Sequence, residues 1–296
     1  MKNQLFSKVS AYLRLLRVSD WIKNLFVLVP WLFAKQIFNQ ESNIKISIAF
    51  ASFCLISSFV YTLNDRFDCE KDKLHPVKKF RPLASGEISF AEAYVIMALL
   101  FILAFGTAAL LNIKVIVIIA AYTLINYFYS VFLKEIFLVD IFSIAAGFLL
   151  RIAAGAAAIN VTISNWLLLT AFFISLFLAI MKRRSEFVHS SGSNSTRKVL
   201  SEYAPHVIDQ ISTITSTGVI ICYALYTVSA QTIANFKTDR LIYTTLFVVF
   251  GIFRYIYLAH KNKSIENVTE VLLKDIPMLI NLLFYIISVT IIIYVK

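Results

Sequence analysis

Nine stretches of this chain run for roughly the width of a bilayer with almost no charge, and nothing else in the sequence constrains its fold as tightly. Residues 46–63, for example, contain no Asp, Glu, Lys or Arg. The stretches lie at about residues 22–38, 46–63, 91–111, 115–133, 138–158, 163–181, 207–233, 241–259 and 276–295. A helix needs about 20 mostly apolar residues to cross the hydrocarbon core. In lipid the backbone must satisfy its own hydrogen bonds, which favours helices. The first stretch is the shortest and contains Pro30. The expected fold class is therefore all-α: a polytopic membrane bundle of about nine transmembrane helices, with residues 1–296 forming a single domain.

Composition agrees. The chain is 59% hydrophobic and 15% charged, where a soluble domain carries about 25% charged residues. The net charge of +11 does not call for nucleic acid, because cytoplasmic loops of membrane proteins accumulate Lys and Arg. Sorted by side, twenty basic residues fall on the N-terminus and on the loops after spans two, four, six and eight, and six on the other side. This asymmetry places the N-terminus in the cytoplasm, with long cytoplasmic loops at about residues 64–90 and 182–206. The first 24 residues are basic and amphipathic, without a cleavable signal pattern, and read as a helix on the membrane surface. Cys54, Cys69 and Cys222 have neither metal nor redox spacing, so no disulfide or zinc site is expected.

The densest run of ions follows the second stretch. The sequence YTLNDRFDCEKDKLHPVKKFRPLASGEIS spans Tyr61 to Ser89. No helix breaker occurs before Pro76, and the residue before a proline avoids helical geometry, so the helix is expected to continue to about His75. At about 100° per residue, with Asn64 set at zero, Asp68 falls near 40°, Asp72 near 80° and Asp65 near 100°. Four oxygen-bearing side chains share one arc. Carboxylates so placed repel unless a cation or basic groups compensate. Magnesium suits them, since it takes one or two carboxylates together with substrate phosphates. Lys78, Lys79 and Arg81 follow directly, and basic groups beside a magnesium carboxylate site would hold a diphosphate. A solvated, salt-bridged loop is the plainer alternative.

Other charged positions stand at the edges of the stretches. Tyr129 and Lys134 lie near the end of the fourth, and Asp140 opens the fifth. Arg151 lies eleven residues beyond Asp140 and, at about 20° away, on nearly the same face. An arginine at mid-span costs roughly 2.5–3.5 kcal/mol on insertion scales, so it should face a cavity or a partner. Lys182 and Arg183 end the sixth stretch, and Lys23 lies at the entrance of the first. Each of these three also reads as an ordinary basic anchor.

The stretches DWIKNLFVLVP, NDRFDCEKDKLHPVKKFRPLASGEIS, YSVFLKEIFLVDIFSIAAGFLLRIAAGAAA and LFLAIMKRRSEF resemble the UbiA superfamily of membrane prenyltransferases. Asn64, Asp68 and Asp72 match its first signature, Asn-x3-Asp-x3-Asp. The likeness is closest to its decaprenyl-phosphate phosphoribosyltransferase branch. A second signature, Asp-x3-Asp, serves a prenyl diphosphate in typical members. It is absent from the second half of this chain, where Asp140 is followed four residues later by Ile144.

The resemblance implies an integral protein of the bacterial inner membrane with its active site facing the cytoplasm. It implies transfer of 5-phosphoribosyl from phosphoribosyl diphosphate (PRPP) to a polyprenyl phosphate, with Mg2+ as cofactor, for cell-envelope polysaccharide synthesis. Asn64, Asp65, Asp68 and Asp72 would be catalytic, with the three aspartates as metal candidates. Lys23, Lys78, Arg81, Tyr129, Lys134, Arg151, Lys182 and Arg183 would meet substrate phosphates. Membrane lipids are the expected surroundings, and a homo-oligomer is left open. Two alternatives remain at this point: prenyl transfer to an aromatic acceptor, and a small-solute transporter.

Overall fold

The structure, a computed structural model, describes residues 2–190, 204–261 and 275–294. The described residues form helices joined by turns, with no strand among them. Among the described residues, eight helical stretches are long and apolar enough to cross a membrane: Gln40–Lys73, Phe90–Ala109, Ile113–Val131, Val139–Ala158, Asn165–Phe187, Pro205–Val228, Arg240–Lys261 and Ile276–Tyr294. The chain divides into two compact units. One comprises Met1–Ser143 with Leu150–Val161, the other Ile144–Leu149 with Thr162–Lys296.

The first unit begins with α1 (Lys2–Leu15), whose Ala11 and Leu15 pack on Cys69, Leu83, Ile88 and Ala93. A 3-10 helix (Val18–Leu28) and a single α turn, α2 (Val29–Phe33), follow. The expected first span is thus not a continuous α-helix. It is not among the eight stretches long and apolar enough to cross a membrane, so the described residues give eight candidate spans where about nine were expected.

A 3-10 run of this length needs support from outside itself, since runs beyond three or four residues are uncommon. Trp21 Nε1 donates to Ser58 Oγ (3.0 Å), and Ser58 Oγ donates to the Leu16 carbonyl (2.8 Å). Asn24 Nδ2 donates to Ser57 Oγ (3.1 Å). Pro30 sits in the first turn of α2, where its missing N–H costs nothing.

Helix α3 (Gln40–Lys73) is the axis of this unit. Asn39 caps its start, accepting from Ser42 N. Ile46, Ala49, Phe53, Ile56 and Val60 recur at three- and four-residue spacing, which gathers them on one face. That face packs against Ala104 and Ala108 of α4 (Phe90–Ala109), Val115, Ile119 and Tyr122 of α5 (Ile113–Val131), and Ala154 and Ala158 of α6 (Val139–Ala158). The capping box of Ser89 and Glu92 opens α4. Gly155 of α6 meets the 3-10 helix so closely that a Cβ there would lie 1.9 Å from the Val27 carbonyl oxygen. Only glycine permits that approach.

In the second unit, α7 (Asn165–Ser190) runs past the expected loop start at residue 182, because nothing before Ser190 breaks a helix. Lys182 and Arg183 are therefore helical, and residues 191–203 of the expected second loop lie outside the described residues. The expected seventh span breaks at Ser229. Extended there (φ −65°, ψ 140°), Ser229 ends α8 (Pro205–Val228) and caps α9 (Ala230–Phe236) by accepting from Thr232 N. Helices α10 (Thr245–Lys261) and α11 (Ile276–Tyr294) complete the unit. Asp275 opens α11, accepting from Met278 N (2.9 Å) and taking a two-pronged pair from Arg254 of α10 (3.1 and 2.8 Å).

Candidate active site

The last three turns of α3 carry the acidic group, and the helix runs to Lys73, as expected from the absence of a breaker. The chain then turns on His75, whose Nδ1 accepts from Val77 N and Lys78 N (both 3.2 Å). A short 3-10 turn, Lys78–Phe80, brings Arg81 back onto the helix it has just left. Arg81 Nη1 donates to Asp65 Oδ1 (3.0 Å) and to Asp72 Oδ2 (2.7 Å).

Arg17, at the junction of α1 and the 3-10 helix, is bonded through Nη2 to the same Asp65 oxygen. Its backbone is left-handed (φ 49°, ψ 50°), a conformation that a non-glycine residue holds only when its surroundings impose it. Its guanidinium lies 5.1 Å from the Tyr61 ring centre.

Asp68 has a separate partner. Lys134, on a 3-10 turn after α5 (Leu133–Glu135), is buried and pairs with Asp68 Oδ1. Asn64 Nδ2 donates to Asp68 Oδ2 (3.1 Å). The other amide atom, Asn64 Oδ1, is buried with no hydrogen-bond partner. An acceptor left so is costly unless a donor or cation completes it.

The three carboxylates are thus held together by three basic groups: Arg17 and Arg81 on Asp65 and Asp72, and Lys134 on Asp68. Among the described residues no set of three or more His, Cys, Asp or Glu is arranged to hold a metal by itself. Magnesium does not need one, because it binds through one or two carboxylates and completes its shell with water and phosphate. The hard oxygens of Asn64, Asp68 and Asp72 fit that requirement, and the unpartnered Asn64 Oδ1 is the atom most in want of a cation.

Deeper in the same unit, Arg151 is 4% exposed. It donates from Nε to Asn24 Oδ1 (2.8 Å) and from Nη2 to Tyr122 Oη (2.9 Å), and lies 4.9 Å from the Tyr122 ring centre. Lys23 pairs with Asp20 (2.6 Å) and lies 5.9 Å from the Tyr61 ring centre, so Tyr61 is flanked by Lys23 and Arg17. Asp140 is fully buried on the first turn of α6, where the helix dipole favours a carboxylate. A tight turn precedes it: Val139 N bonds the Phe137 carbonyl (2.8 Å) across Leu138, whose φ is +65°. Lys78 and Tyr129 are half-buried, on the 3-10 turn after α3 and on the last turn of α5.

In the second unit Lys182 is half-buried, and the fully buried Arg183 pairs with Glu186. The next residue, Arg184, bonds Asp209 and the Ala259 carbonyl.

Sequence reasoning placed Asn64, Asp65, Asp68 and Asp72 on one arc with Arg81 close behind, and the structure joins them by direct contacts and adds Lys134 of the phosphate candidates to the same cluster. Sequence reasoning missed Arg17, Tyr61 and Tyr122, and the pairing of Asn24 with Arg151. Arg17 looked like any other positive charge near a membrane, and no spacing rule links it to Asp65.

Residues 26–273 match the UbiA prenyltransferase family. The chain is 36% identical over 219 residues to the decaprenyl-phosphate phosphoribosyltransferase of Corynebacterium glutamicum, covering 72% of this chain and 66% of that protein. To the protein of the same name from Mycolicibacterium smegmatis it is 33% identical over 226 residues, covering 75% and 71%. Among solved structures, a UbiA homolog from Archaeoglobus fulgidus bound to GPP and Mg2+ superposes with a TM-score of 0.72 at 22% identity. That match covers 96% of this chain and 100% of the other, and it supports the helical architecture.

Proposed function

We infer, from the premise that the chain belongs to the UbiA prenyltransferase family, that it is a membrane enzyme transferring a pentosyl group to a polyprenyl phosphate. The donor is PRPP, and the products are polyprenylphosphoryl-5-phosphoribose and diphosphate. The observation that carries this reading is the cluster at the end of α3. There Asn64, Asp68 and Asp72 supply hard oxygens beside Arg81 and Lys134. The names of these two relatives and the absence of an Asp-x3-Asp signature from the second half support a sugar diphosphate over a prenyl diphosphate as donor.

The bond from the ribose anomeric carbon to the diphosphate breaks, and its electron pair leaves with the diphosphate. An oxygen of the lipid phosphate forms the new bond to that carbon. The attacking phosphate is already anionic, so no strong general base is needed, and catalysis is positioning plus charge stabilisation. Asn64, Asp68 and Asp72 would hold magnesium, as the Mg2+ bound in the A. fulgidus homolog suggests. When bound, magnesium neutralises the departing diphosphate. Arg81 and Lys134 contact phosphate oxygens and keep the donor in line. Lys23, Arg151, Lys182 and Arg183 remain phosphate candidates, with Arg151 also fixing the 3-10 helix. The membrane setting lets the lipid bring its phosphate to the cytoplasmic edge, where the soluble donor arrives. The product would feed cell-envelope polysaccharide synthesis.

The test feeds labelled PRPP and labelled prenyl diphosphate in parallel to purified protein in lipid nanodiscs. Label from PRPP should enter the lipid fraction, and Asp68→Ala and Asp72→Ala should abolish this while the protein stays folded. Transfer from prenyl diphosphate to an aromatic acceptor instead, or wild-type turnover in both variants, would overturn the reading.

A further inference from the structure

Asp65 differs from its neighbours on α3. It is 2% exposed, and one of its oxygens takes both Arg17 Nη2 and Arg81 Nη1. Asn64, Asp68 and Asp72 follow one another at four-residue spacing along a single ridge, and the first two are hydrogen-bonded. Asp65 lies within about 20° of Asp72 around the helix and shares Arg81 with it, but of the four it alone also meets Arg17 at the end of α1.

The guanidinium of Arg81 has five N–H donors. The two on Nη1 go to Asp65 and Asp72. Nε and Nη2 make no hydrogen bond among the described residues, and the side chain is 26% exposed. One nitrogen of Arg81 is therefore tied down while the Nε–Nη2 edge keeps its donors for another acceptor, and such an edge suits two-pronged contact with phosphate.

We propose that Asp65 is a positioning residue and not a ligand of the cation: it anchors Arg17 and Arg81 so that Arg81 offers Nε and Nη2 to a phosphate of the donor. The proposal rests on the reading of the donor as PRPP. Charge supports the division of labour. The Asp65–Asp72 pair is balanced by Arg17 and Arg81, and Asp68 by Lys134. A divalent cation arriving alone meets a neutral cluster, whereas one arriving with a diphosphate brings its own counter-charge.

The experiment uses the full chain in nanodiscs and two readouts. The first is Mn2+ binding by electron paramagnetic resonance, with inorganic diphosphate held at saturation in each variant. The second is the separation of KM for PRPP from kcat. Asp65→Asn should raise KM for PRPP about tenfold or more, the usual size of an outer-shell loss, with kcat nearly unchanged and Mn2+ affinity kept. Arg17→Gln should do the same, and Arg17→Lys should restore most of the loss. Asp68→Asn should lose Mn2+ affinity instead.

Asp65→Asn alone leaves Arg17 short of its partner, so Arg17→Gln/Asp65→Asn, which removes both charges, guards against misfolding. It should show the same raised KM and the same retained Mn2+ binding. Loss of Mn2+ affinity in Asp65→Asn or the double variant to the extent seen in Asp68→Asn would overturn the proposal, as would an unchanged KM. Wild-type protein that binds Mn2+ with diphosphate but never turns over PRPP would overturn the donor reading, while the Mn2+ comparison still decides what Asp65 does.

Discussion

Replacing Gly155 with alanine should separate α6 from the 3-10 helix, and Gly106 supplies the matched control. A Cβ at position 155 would sit 1.9 Å from the Val27 carbonyl oxygen, with Val27 C at 2.9 Å. Both neighbours are backbone and cannot rotate away. Restoring an ordinary contact of about 3.3 Å needs a shift of about 1.4 Å between the two elements. One turn away, Arg151 Nε and Asn24 Oδ1 are 2.8 Å apart. The same shift would carry that hydrogen bond past its useful range.

Overpacking costs about 1–3 kcal/mol, and a lost hydrogen bond to a charged group about 1.5–3 kcal/mol. The expected destabilisation is therefore about 2.5–6 kcal/mol, against about 0.5–1 kcal/mol gained from replacing a helical glycine by alanine. Gly106 of α4 has nothing within 4 Å of its Cβ position, so Gly106→Ala keeps only that gain. Reversible unfolding in mixed micelles, followed by circular dichroism, measures both. Equal stability of the two variants would refute the close-approach argument.

Other perturbations have expected outcomes of their own. Arg151→Met should cost about 2–6 kcal/mol in the same unfolding assay, because it strands two neutral buried acceptors, Asn24 Oδ1 and Tyr122 Oη, at about 1–3 kcal/mol each; a cost under about 1 kcal/mol would contradict the network. Lys134→Met should lower kcat/KM at least about 100-fold, as loss of a preorganised charge does, and steady-state transfer assays would show it. Chelating magnesium with EDTA should stop transfer and adding Mg2+ should restore it; unchanged rates in EDTA would remove the cation from the scheme. At Asp275, hydrogen bonding from Arg254 holds the carboxyl below its usual range. Its contribution is therefore complete above the unfolded pKa of about 3.9 and is lost as pH falls through the lower folded value. The pair is partly exposed, so Asp275→Asn should flatten the acid limb of the stability curve by no more than about 1 kcal/mol.

How far the fold was legible depended on whether local rules or distant partners decided each element. Helix α3 could be read to its end because nothing between Leu63 and Pro76 stops a helix, and the Asn64–Asp68–Asp72 ridge follows from periodicity alone. The same rule, applied after Met181, would have carried α7 on to Ser190. Ser229 left only a weak signal, because serine favours the N-cap but Thr232 is not the Glu or Gln of a capping box. The 3-10 geometry of Val18–Leu28 left none. It depends on Gly155 letting the backbones touch and on Arg151, Ser57 and Ser58 holding Asn24 and Trp21. Arg17 was invisible for the same reason, being 48 positions from Asp65.

Mass spectrometry of the lipid recovered from nanodiscs containing the protein, polyprenyl phosphate, PRPP and Mg2+ tests the sugar-diphosphate site most directly. The lipid should gain one phosphoribosyl group, and Asp68→Ala protein should leave it unmodified. An unmodified lipid with folded wild-type protein, alongside a prenylated aromatic acceptor when prenyl diphosphate is supplied, would contradict it.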